Sequence, residues 1–115
     1  MPRKIDSVTF TGRSGKQYEF RVYIWNTPFK ALPGVYIVAS RSIEPGQSPR
    51  YESVFVGAAT DLSKAFKGHP RNDCFQMYYA NVIGVLQESD AKARERISAD
   101  LIEGLAPPCN ADDAE

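Results

Sequence analysis

Apolar side chains fall at every second position in two runs near the start of the chain. Val8 and Phe10 form the first, and Tyr18, Phe20, Val22 and Ile24 the second. That period predicts two strands, and the intervening Thr11–Lys16 stretch, with Gly12 and Gly15, predicts the turn of a hairpin. Pro28 and Pro33 interrupt the pattern. Residues 34–40 (GVYIVAS) are almost continuously apolar, as in a strand buried on both faces. A polar stretch with two prolines and a glycine turns the chain back into residues 51–58 (YESVFVGA), which predicts an antiparallel partner.

Residues 60–69 (TDLSKAFKGH) predict a helix: Thr60 or Asp61 caps it, Leu62 and Phe66 make an i, i+4 pair, and Gly68 and Pro70 end it. A second short helix is expected over NDCFQMYYA, with Phe75, Tyr78 and Tyr79 on one face, followed by a strand at NVIGVLQE. In the last element Ala93, Ile97, Leu101 and Leu105 recur every four residues beside Ile102. Ser89 or Asp90 caps this helix, and Pro107 and Pro108 stop it. Together these elements predict an α+β domain in which a small antiparallel sheet is flanked by helices. Residues 1–32 form an N-terminal hairpin extension, 33–110 a core, and 111–115 an acidic tail expected to fray.

The length of 115 residues fits one domain, and the 43% hydrophobic content is enough to fill one core. Fourteen basic and 14 acidic residues balance, which argues against a surface given over wholly to phosphate but leaves room for a local basic patch. The start of the chain has no apolar run of signal-peptide length, and no segment has the roughly 20 apolar residues of a spanning helix. The sequence therefore predicts a cytoplasmic protein without a membrane partner, in which Cys74 and Cys109 are free structural thiols. With one histidine and no paired cysteine spacing, no metal site is expected.

Four segments together resemble the GIY-YIG endonuclease family: GVY at 34–36, FVG at 55–57, TDLSKAFKGH at 60–69 and ERISADLIEGLAPPCN at 95–110. The resemblance covers about two thirds of the chain. It implies a phosphodiesterase site with a tyrosine that helps activate water, an arginine on the phosphate, and a helical glutamate holding Mg or Mn. Tyr36 matches the first tyrosine, His69 a position that accepts histidine, and Asn110 the closing asparagine. Phe55 stands at the second tyrosine, Ala65 at the arginine and Ser98 at the glutamate.

Both charged groups are thus replaced. Hard cations favour carboxylate ligands over a serine hydroxyl, and alanine has no phosphate donor. Loss of one well-placed electrostatic group costs on the order of 10²–10³ in rate. The expectation is a catalytically inactive GIY-YIG-like module, without a cofactor, that binds DNA or another protein, with Lys64, Lys67 and Arg71 around its mouth. The alternative is a metal-dependent endonuclease rebuilt around Tyr36, His69, Glu95 and Arg94, with Mg or Mn. Each residue also has a plainer role: Tyr36 and Phe55 as core aromatics, His69 as a helix-end residue, Asn110 as a backbone anchor. Trp25, Tyr23 and Phe29 are expected to pack the hairpin on the domain.

Overall fold

The computed structural model describes residues 3–110. The two alternating runs form the expected hairpin, β1 (Asp6–Thr11) and β2 (Gln17–Ile24). Three more strands, β3 (Gly34–Ser42), β4 (Arg50–Ala59) and β5 (Val82–Gln87), complete one antiparallel sheet of order β1-β2-β5-β3-β4. The hairpin is continuous with the rest, because β2 pairs with β5 from Arg21 opposite Val85 to Ile24 opposite Val82.

Side chains alternate across a strand, so β3 feeds two cores. Val35, Ile37 and Ala39 join Phe10, Phe20, Val22, Val56 and Leu101 on what we call the inner face. Tyr36 and Val38 join Leu62, Phe75, Ile83 and Cys109 on the outer face. This explains the unbroken apolar run of β3, which is covered on both sides.

Two helices, α1 (Asn72–Met77) and α2 (Ala91–Leu105), cover these faces. The predicted four-residue period of α2 meets the inner core through Leu101, with Ile97, Ile102 and Leu105 beside it. Asp90 caps it by accepting from Ala93 N, and its C-terminus closes with Ala106 in a left-handed conformation. The β1–β2 turn grips the same helix. The Asp100 carboxylate accepts from Ser14 N at 2.8 Å, Ser14 Oγ at 2.6 Å and Tyr18 Oη at 2.8 Å. The approach is so close that a Cβ on Gly104 would lie 2.5 Å from Arg13 N. Over α2 the sheet curls until its outer strands touch: Tyr51 Oη donates to Asp6 Oδ2 and accepts from Arg41 Nε, both at 2.7 Å.

Three expectations are corrected. The helix predicted over residues 60–69 is one 3₁₀ turn, Leu62–Lys64. Asp61 accepts from Ser63 N, Leu62 N donates to Leu32 O, and Phe66 is drawn against Phe29 and Tyr36, so tertiary contacts override the local pattern. Helix α1 buries Phe75 but ends before Tyr78 and Tyr79, and Tyr79 is 82% exposed. Cys74 and Cys109 are not free thiols but a disulfide, with Cα atoms 5.9 Å apart. Helix α1 and the 3₁₀ turn Pro108–Asn110 meet on the outer face, a proximity that the separation of 35 residues conceals. The acidic tail lies outside the described residues. Among the described residues no helix is long and apolar enough to cross a membrane.

Candidate functional site

The resemblance places its site around Tyr36, and the register shows how that side chain is held. Tyr36 faces Gly57 directly across the β3–β4 pair. A Cβ on Gly57 would lie 2.5 Å from Tyr36 Oη and 2.6 Å from Cζ, so the ring rests on bare backbone. Phe66 meets the ring edge-on at 4.8 Å, and Phe55 lies tilted at 6.1 Å.

His69 completes the cluster. Its Nε2 is 2.9 Å from Tyr36 Oη, and its ring packs 5.1 Å from Phe55 and 4.9 Å from Phe75. Arg71 N donates to His69 Nδ1 at 3.0 Å. That bond leaves Nδ1 without a proton in the neutral ring, so Nε2–H donates to the Tyr36 hydroxyl. Burial pushes the Tyr36 phenol up to about 12. Burial, and then the positive charge of Arg71, hold His69 below its ordinary value of 6.5. Near neutrality the pair is therefore a phenol and an uncharged imidazole. With a value near 12, roughly 10⁻⁵ of the phenol is ionised at pH 7.

Among the described residues, the other positions do not bond to the two side chains of this pair. Ala65 packs into the outer core, and Lys64 closes the 3₁₀ turn. Lys67 is exposed. Ser98, Glu95 and Arg94 belong to α2, whose apolar side packs on the inner face. The Ser98 hydroxyl donates to Glu95 O at 3.1 Å. Arg94 is 9% exposed, and its guanidinium donates to Glu88 O and Ser89 O at 3.0 Å each. Among the described residues no hydrogen bond or ring contact joins these three to Tyr36 or His69. Asn110 lies at the free edge of β4, where Oδ1 accepts from Val56 N at 2.7 Å and Nδ2 donates to Val56 O at 2.9 Å.

The Mg or Mn implied by the resemblance can be tested against this donor set. One phenol, one neutral imidazole and three phenylalanines do not fit a hard dication that takes oxygen ligands, preferably charged. Among the described residues no three histidine, cysteine, aspartate or glutamate side chains gather as a metal cluster.

The chain matches no protein-family model, no curated protein and no solved structure.

The half-buried imidazole gives a pH dependence. A histidine whose folded value lies below its unfolded one favours the folded state above about pH 6.5. That advantage is lost as pH falls through the lower folded value. Urea midpoints should therefore drop from pH 7 to pH 5.5, and His69→Gln should flatten the change. An equal drop in the variant would assign it to other groups.

Sequence reasoning missed a groove on the outer face beside this cluster. Its lining residues alternate with core positions on β2, so their spacing reads only as the polar side of a strand.

Proposed function

We propose that this chain is a GIY-YIG-like domain that binds a partner without cleaving nucleic acid. The observation that carries this reading is the closed Tyr36–His69 pair. Both ring nitrogens of His69 are engaged, Nε2 on the Tyr36 hydroxyl and Nδ1 on the backbone N–H of Arg71, within a wall of phenylalanine rings. Cleavage of a phosphodiester needs charge on the phosphoryl oxygens and an activated nucleophile. A phenol held near 12 and an imidazole whose proton faces that phenol are poorly placed to supply either. The rebuilt site around Glu95 and Arg94 gains no support, since Arg94 is occupied by two carbonyls that precede its own helix. A cytoplasmic setting, expected from the sequence, would keep the Cys74–Cys109 bridge open. An oxidising one would preserve it.

Incubation of supercoiled plasmid with the protein and Mg²⁺ or Mn²⁺ tests the reading. The expected result is no metal-dependent nicking above buffer. Nicking that disappears in Tyr36→Phe would defeat it.

A further inference from the structure

Helix α1 and the 3₁₀ turn cover the β3–β4 half of the outer face, while the β1–β2–β5 half stays open. Two concavities adjoin there. One, of about 350 Å³, is walled by Trp25, Phe29, Leu62 and Phe66, with Lys67 and Asn72 also lining it. The other, of about 660 Å³, runs over β1, β2 and β5 and carries Lys4, Arg21, Lys30 and Tyr23. Both are lined by Phe29 and Leu62, which sets them side by side, and together they are called the groove below. Four basic side chains line it and one acidic one, Glu19, in a chain whose charges balance over its full length.

The narrower end has a specific polar demand. Asn72 Oδ1 is buried and has no hydrogen-bond partner among the described residues. Buried acceptors are almost always satisfied, so an orphan beside a cavity calls for a donor from outside. The Asn72 side chain lines the cavity, and a turn about its own bonds would bring that enclosed oxygen between the aromatic walls, where a flat heteroaromatic ring with an N–H on its edge could serve it.

We infer that the groove binds single-stranded nucleic acid, with one unstacked base in the Trp25–Phe29–Asn72 end and the phosphates along Lys67, Lys30, Arg21 and Lys4. This rests on the binding-module reading and names its partner. Aromatic platforms within a basic groove are the usual means of holding single strands. Base pairs in a duplex are stacked and paired, so neither the rings nor the orphan acceptor can reach them. The groove begins where the Tyr36 cluster ends: Phe66 touches both Tyr36 and Phe29.

The sole tryptophan of the chain stands in this groove, so binding carries its own reporter. A short oligothymidylate, whose thymine N3–H can serve Asn72, is titrated into the protein. Tryptophan fluorescence and the anisotropy of a labelled strand are followed. Quenching should accompany binding, and the matched duplex should bind at least tenfold more weakly. With four phosphate contacts the log–log salt slope is about −2.8, a loss of roughly fiftyfold between about 50 and 200 mM salt. Arg21→Glu with Lys30→Glu, both at exposed positions, should weaken binding at least tenfold and roughly halve that slope. Lys92→Glu with Arg96→Glu on α2 should leave both unchanged. Asn72→Leu should cost about three- to tenfold.

Equal affinity for duplex, binding without quenching, or equal weakening by the α2 pair would overturn the inference. So would no binding to any oligonucleotide at low salt. In that last case an uncut plasmid would leave the non-cleaving reading intact and turn the search to a protein partner.

Discussion

Reducing the Cys74–Cys109 bridge should lower the stability of this domain by about 3–4 kcal/mol, the largest single effect expected. The bridge closes a loop spanning 35 residues, and the chain-entropy relation for a loop of that length gives this range at 25 °C. Its place in the fold adds to the consequence. It ties α1, which carries Phe75 into the outer core, to the 3₁₀ turn that carries Asn110 to the edge of β4. Losing it frees both elements from each other, so the Phe75–His69 contact should loosen as well. Urea unfolding with and without reductant, the thiol state being verified by intact mass, measures the effect. A domain of this size should lose about 10–15 °C in Tm. Identical midpoints in the two states would show that the bridge contributes nothing.

Gly57→Ala is expected to cost about 2–3 kcal/mol. The added carbon would meet Tyr36 Oη at 2.5 Å, Tyr36 Cζ at 2.6 Å and Phe55 Cε2 at 2.9 Å. Tyr36 is buried and held by Phe66 and His69, so it has little room to withdraw, and overpacking of this kind typically costs 1–3 kcal/mol. A double-mutant cycle separates this clash from a general aversion to alanine in the strand. Tyr36→Leu removes the ring that collides, so Gly57→Ala should cost much less in that background. Strict additivity would mean that the glycine serves some other purpose. Stability measured by urea at pH 7 suffices for all four proteins.

Much of this architecture was legible because period and burial agree. The two-residue alternation of β1 and β2, the continuous apolar run of β3 and the four-residue stripe of α2 each predicted the face that is buried, except at Ile24, which ends β2 exposed. Residues 60–69 read wrongly for a physical reason. Leu62 and Phe66 have helical spacing, yet Phe66 is more useful against Tyr36 than on a helix one turn longer. The disulfide was hidden because only the folded chain brings α1 and Pro108–Asn110 together. At the candidate site, the sequence pointed to Tyr36 and His69, which the structure joins by a hydrogen bond. It did not supply the separation by the sheet, because no spacing rule says on which face a closing helix will pack. The groove was hidden for a related reason. Lys4, Arg21, Lys30 and Lys67 are far apart in the chain, and Asn72 is an ordinary polar residue until its oxygen is seen to be enclosed.

The amide of Asn110 imitates one rung of a ladder, giving Val56 the donor and acceptor that a neighbouring strand would have offered. An invading peptide that sought to lengthen the sheet past β4 would first have to evict that side chain, and with it the covalently anchored turn behind it. At that rung the edge is closed from within the chain itself.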